Sequence, residues 1–258
     1  MRLFAALIWI ALAALAPLRP AAAEEVLAGL SQTSVALTAT FEGSEILVFG
    51  AVRREAPVPA DADPLQVIVT IEGPAQRVSV WRKSRRAGIW MNVEEVRIAR
   101  APSFYAVASS APLDQAISAT EDLRHSITVP RAIRSFGTIA MAEDAPSFIE
   151  ALIRLRREDG LFLETPGTVE LTRETLFRGT LALPASLIEG SYRARVFLTR
   201  GGQVVDIFET SIDVRKAGLE RELSRLAHEQ PLLYGLLAVA IAVIAGWGAS
   251  TAFRLVQR

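Results

Sequence analysis

Two histidines, His125 and His228, far apart in the sequence, are the only side chains whose ordinary pKa lies near neutrality, and there is no cysteine. One chain therefore cannot assemble a multi-histidine metal site, and a Ser-His-Asp arrangement has almost no raw material. Thiol catalysis, cysteine-ligated zinc and iron–sulfur clusters are excluded outright. No catalytic residue, metal ligand or cofactor is expected, and the chain reads as a non-enzyme. A hydrolase using carboxylates alone needs two acidic groups about 5 to 10 Å apart in a cleft, and no carboxylate spacing marks such a pair. The densest chemistry is the basic run Trp81-Arg82-Lys83-Ser84-Arg85-Arg86-Ala87-Gly88-Ile89-Trp90-Met91-Asn92. Folded as a hairpin with a four-residue loop, Ser84 to Ala87, it sets Trp81 opposite Trp90 and Ser79 opposite Asn92 on one face. Trp81, Arg82, Lys83, Arg85, Arg86, Trp90 and Asn92 would then offer aromatic contact and positive charge to an anionic or acidic partner, or to lipid headgroups. The ordinary placement of such residues is different: tryptophans in the core, charges solvating the turn.

The ends of the chain set where that chemistry would operate. Arg2, an apolar run from Leu3 to Leu15, Pro17 and the small residues Ala21-Ala22-Ala23 have the pattern of a signal peptide over 1–23. Its apolar run is short of the roughly 20 residues that cross a bilayer. The mature chain is expected to begin near Glu24, and Glu24 and Glu25 to lie on a mobile new terminus. Residues 231–253 carry no charge and are followed by Arg254 and Arg258, which predicts a transmembrane helix with a cytoplasmic tail, 254–258. Gly235, Ala238, Ala242, Gly246 and Ser250 recur every three or four residues, a face on which another membrane helix can pack closely. The chain thus reads as single-pass in a bacterial inner membrane, its N-terminal domain in the periplasm.

Between these ends lie about two hundred residues, room for one large domain or two small ones. All 28 acidic residues and 24 of the 28 basic ones fall here, since Arg2, Arg19, Arg254 and Arg258 lie outside. That balance gives no bulk attraction to nucleic acid. Period-two patterns predict strands from Val35 to Phe41, Glu45 to Val52, Gln66 to Glu72, Arg77 to Lys83, Gly88 to Val93 and Phe104 to Ser109. Phe104 and Tyr105 are expected in the core. Over 112–160 the pattern changes to a helical or irregular insert. Ser118 and Glu121 have capping-box spacing before a short helix containing His125, read as structural, and Asp144-Ala145-Pro146 opens a second helix burying Phe148, Ile149, Leu152 and Leu155, stopped at Gly160. Strand pattern returns over 161–215 and ends in a hairpin through Gly201-Gly202. With Arg200 opposite Gln203, Leu198 is expected to face Val205, and Val196 to face Ile207. Residues 216–230 suggest an amphipathic juxtamembrane helix. The fold class is mainly β: one or two immunoglobulin-like sandwiches over 24–111 and 161–215, Gly190-Ser191-Tyr192 resembling a tyrosine corner, plus the insert and the span.

The segments SVALTATFEGSEILVFGAV (34–52), RKSRRAGIWMN (82–92), PSFYAVAS (102–109) and QPLLYGLLAVAIAVIAGW (230–247), in this order, resemble the uncharacterised alphaproteobacterial transmembrane protein family. The resemblance implies a membrane-anchored envelope protein and carries over no catalytic residue. The function that fits is an interaction protein, such as an accessory subunit of an envelope or transporter complex with a membrane or periplasmic protein partner. The alternative is a sensor module taking an anion or other solute on the basic hairpin.

Overall fold

The structure, a computed structural model, describes residues 24–38, 40–57, 61–136, 145–216 and 226–256. In chain order the elements are β1 (Glu24–Leu30), β2 (Ser34–Leu37), β3 (Gly43–Arg54), β4 (Leu65–Glu72), β5 (Ala75–Arg86), β6 (Ile89–Pro102) and β7 (Tyr105–Ser109). Next come α1 (Leu113–Ala116), α2 (Ala119–His125), α3 (Val129–Phe136) and α4 (Ala145–Glu158). The chain continues with β8 (Phe162–Pro166), β9 (Glu170–Thr172), β10 (Leu176–Pro184), β11 (Gly190–Arg200), β12 (Gln203–Lys216) and α5 (Pro231–Val256). The predicted signal peptide and most of the juxtamembrane helix lie outside the described residues.

The fold is mainly β. One sheet has the order β1-β3-β10-β9, a second β2-β12-β11-β4-β7-β8, and β5 pairs with β6 alone. Both larger sheets draw strands from each side of the helical insert, so the two β stretches share one core. Val26, Ile46, Val48, Phe177, Leu181 and Leu183 reach it from the first sheet, and Val67, Val69, Ile71, Val196, Leu198 and Val214 from the second. Strand β10 alternates buried and exposed along its length, the mark of a sheet with one wet face, whereas β4 is buried almost throughout because the helices cover its other side. Hydrogen bonds stitch that cover down: Tyr105 Oη donates to the Ile127 carbonyl at 2.8 Å and Thr199 Oγ1 to the Ala116 carbonyl at 2.7 Å. Phe104 and Tyr105 are both fully buried.

Sequence cues set the ends of these elements. Ser118 caps α2, its side chain accepting from the Glu121 amide, and Gly160, at φ +68°, follows α4 with the Leu161 amide bonded to the Arg156 carbonyl. Helix α4 packs two ways, Phe148 and Leu152 against β5–β6 and Ile149 and Ile153 into the main core. Leu155, expected in the core, is exposed although it shares the Phe148 side of α4, two turns further on near the helix end, and Ile153 is buried on the second apolar side.

Three expectations fail. The N-terminal residues form an edge strand rather than a mobile end: β1 pairs along β3, Glu24 opposite Arg54. The strand expected to reach Phe41 stops at Leu37, and the Phe41 amide turns back to the Thr38 carbonyl at 3.1 Å. In β11–β12 the two-glycine turn and the Arg200–Gln203 pair are present, but a bulge at Val205, opposite the Leu198–Thr199 step, slips the register, so Leu198 faces Asp206 and Val196 faces Phe208. Val205 and Ile207 are thereby turned outward.

Candidate functional surface

Strands β5 and β6 meet in a two-residue turn, Ala87-Gly88, rather than a four-residue loop. Both residues have positive φ, +50° and +82°, the mirror-image turn whose twist suits a hairpin. Arg85 consequently faces Trp90 and Lys83 faces Asn92, while Trp81 faces Glu95 and Ser79 faces Arg97. Trp81 and Trp90 still lie on one side of the ribbon. They sit about 13 Å apart along it, at roughly 3.3 Å per residue over the four residues from Trp81 to Arg85. Because β5 alternates regularly from Val80, the other side holds Arg82, Ser84 and Arg86, with Glu94, Met91 and Ile89 opposite them.

Among the described residues, the apolar cover of this ribbon lies at its base. Val80, Val96 and Ile98 pack on Phe148 and Leu152 of α4. Past Arg82 the side chains stand in solvent, Ile89 66%, Trp90 67% and Met91 52% exposed, and Trp81, on the outer side just before Arg82, is 48% exposed. The ordinary placement of tryptophan in the core is overturned here, because both tryptophans lie on the side of the ribbon that faces away from α4. Arg82 does not act with the other cations. It donates to Glu94 Oε2 at 3.1 Å and Ser147 Oγ at 2.7 Å, and its guanidinium lies 4.6 Å from the Phe148 ring centre. Lys83, Arg85 and Arg86 are exposed at the tip together with Asn92. A cleft of about 650 Å³ opens beside Arg82, between Trp81 and Lys83 and the Ser147, Glu150 and Arg154 side of α4.

A second polar region gave no motif. Glu72 ends the apolar run of β4 and is 6% exposed, at the rim of a cleft of about 510 Å³ that Arg100, Ser191, Arg193, Glu209 and Ser211 also line. Arg195 lies 4.0 Å from Glu72. Burial, the strongest influence, pushes the Glu72 carboxyl above the usual carboxylate range, against the pull of Arg193 and Arg195. Arg195 donates to the His125 carbonyl at 2.9 Å and lies over the Phe197 ring. His125 itself rests on the buried Glu121, 3.3 Å from Nε2, which fits a structural role. The available signal was Arg193 and Arg195 at period two on a strand whose other side is apolar. Among the described residues, no group of three or more His, Asp or Glu is placed to hold a metal ion.

Helix α5 has 26 residues, about 39 Å at 1.5 Å per residue. Gly235, Ala238, Ala242 and Gly246 are exposed within roughly 80° of its circumference, at 3.6 residues per turn. Ser250 is helical too, its side chain outside the described residues. Over the described side chains, which in α5 end at Trp247, no helix is long and apolar enough to cross a membrane.

No curated protein and no solved structure matches the chain. A family model described as "Putative transmembrane protein (Alph_Pro_TM)" matches residues 25–255, from the second residue of β1 to the last but one of α5. That match takes in both sheets, the helical cover, the basic hairpin and the apolar helix together, and the chain belongs to this alphaproteobacterial transmembrane protein family.

Proposed function

We propose that the chain is a single-pass interaction protein of the bacterial inner membrane, delivered by a signal peptide over 1–23. Helix α5 anchors it, the β domain lies in the periplasm and the C-terminus in the cytoplasm. The family description supports the membrane, and Pro231 to Phe253 without a charge, then Arg254 and Arg258, support the crossing and its direction. The β domain is related to immunoglobulin-like sandwiches; the Tyr192 hydroxyl, donating to the Ile188 carbonyl at 2.9 Å at the start of β11, supports that kinship. The protein works by binding rather than catalysis, as an accessory subunit of an envelope or transporter complex, with the small-residue side of α5 available to a membrane partner.

The observation that carries the reading is the β5–β6 tip, where exposed Ile89, Trp90 and Met91 stand among Lys83, Arg85 and Arg86. Large apolar side chains next to unshared positive charge mark a contact surface for an anionic or acidic envelope component. An anion sensor built on the whole hairpin is weaker, since Arg82 is already engaged by Glu94 and Ser147. The test is a photo-crosslinking residue in place of Ile89 in the full-length protein in native membranes. A specific adduct that disappears when Lys83, Arg85 and Arg86 are reversed to Glu is expected; absence of any adduct would remove the docking role.

A further inference from the structure

We infer that the β5–β6 tip inserts into the headgroup layer of the anionic bilayer that α5 enters, giving the β domain a second hold on the membrane. This rests on the docking reading above and names its partner.

Between Lys83 and Val93 the sequence holds three cations and no acidic residue. The register distributes apolar and basic groups over both sides of the ribbon: Trp90 with Lys83 and Arg85 on one, Ile89 and Met91 with Arg86 on the other. A protein groove covers one side of a two-stranded ribbon and leaves the opposite apolar side wet. A fluid lipid interface surrounds both sides. Tryptophan settles at headgroup depth, with its ring among the upper acyl chains, and lysine and arginine pair with phosphates while their stems stay in apolar surroundings. The ribbon also limits its own depth. Its outward-facing amide and carbonyl groups have no neighbouring strand, so the tip stays where water and phosphate meet them and not in the hydrocarbon. From Lys83 to the turn the tip reaches about 13 Å past the Arg82–Phe148 contact, at roughly 3.3 Å per residue, a span of headgroup thickness. One short hairpin binds lipid weakly alone. Anchored by α5, it meets the surface at high effective concentration.

The experiment uses full-length protein in nanodiscs made with brominated acyl chains, either of phosphatidylcholine alone or with phosphatidylglycerol added. Of the four tryptophans, Trp9 and Trp247 are replaced by Phe, so emission comes from Trp81 and Trp90. Blue-shifted, quenched emission is expected in the anionic discs, falling toward the phosphatidylcholine level at high salt and in a Lys83→Glu, Arg85→Glu, Arg86→Glu variant. Each cation removed should weaken tip partitioning about fivefold. A thermal melt checks that the variant is folded, and an Ile89→Asn variant, which leaves charge unchanged, should lose the blue shift as well. Equal quenching in both discs, or none in either, would overturn the inference. So would an Ile89-position adduct formed with protein alone, which leaves the docking role standing; no adduct at all would end both.

Discussion

Glu24 is held by guanidinium groups from residues 30 and 176 positions away. Arg54 Nε sits 2.7 Å and Arg200 Nη2 2.8 Å from its Oε1, and Glu174 Oε2 closes the group at 3.5 and 3.4 Å from the same two arginines. Burial, the largest single influence, raises the Glu24 pKa, but the hydrogen bonds and the charges of Arg200 and Arg54 together outweigh it and the net shift is downward. A carboxylate depressed in the fold contributes stability above its unfolded pKa of about 4.3 and loses it as pH falls through the folded value. Glu72, raised, has the opposite sign: its contribution is fullest below that unfolded pKa and is lost as pH rises through the folded one. Glu24→Gln should therefore cost about 2 kcal/mol at neutral pH, below the 3–5 of a fully buried pair because both arginines touch solvent, and flatten the acid limb of the stability curve. Glu72→Gln should leave that limb and remove the decline above it. Thermal melts of the full-length protein in detergent, repeated across the acidic range, separate the two. Little of this was legible: Glu24 looked like a free terminus, because its partners are contributed by strands distant in sequence. The cations of the hairpin were legible as a cluster, but Arg82 could not be told from its neighbours until α4 was seen beneath it.

Strand and helix positions followed well from periodicity, and pairings followed where the turn was compact. Gly201-Gly202 fixed the end of its hairpin; the bulge at Val205 has no local marker and moved every pair further from the turn. The Ala87-Gly88 turn had no such marker, since alanine seldom takes the left-handed conformation that a two-residue turn requires and that Ala87 adopts here. Asparagine tolerates it, so Ala87→Asn should stabilise the hairpin by about 0.5–1 kcal/mol, read as slower amide exchange in β5 and β6. Gly50 shows the reverse constraint. A Cβ there would meet the Leu27 carbonyl and lie 2.5 Å from the Phe177 ring, so Gly50→Ala should cost about 3 kcal/mol by forcing β1 off β3, measured by denaturant unfolding.

At the scale of the molecule, composition and pattern gave a mainly β chain with a helical insert and an apolar C-terminal helix. The interleaving of the two β stretches was beyond them, since strand order depends on which apolar faces meet across the core. Helix α5 displays Leu232, Leu236, Val239 and Val243 outward, with no cover from the rest of the described chain. Ending the chain before Pro231 should release the β domain from the membrane fraction into the soluble fraction, seen by sedimentation, if α5 is its principal anchor.

The strand order also dictates when the molecule can exist. Strand β12 lies between β2 and β11, and β11 lies between β12 and β4, so the centre of the larger sheet is made last. While residues 24–189 are being synthesised, β3 has no β10 for most of that time and β4 has no β11; both keep an open edge. The pairings that join the two β stretches across the helical insert come last, and a chain that depends on such distant pairings folds slowly once its last strands arrive. Passage through a narrow export channel, which admits only unfolded polypeptide, is therefore compatible with this topology up to its last strands. The cost is a long interval with sticky edges, during which a holding chaperone would find β3 and β4 open.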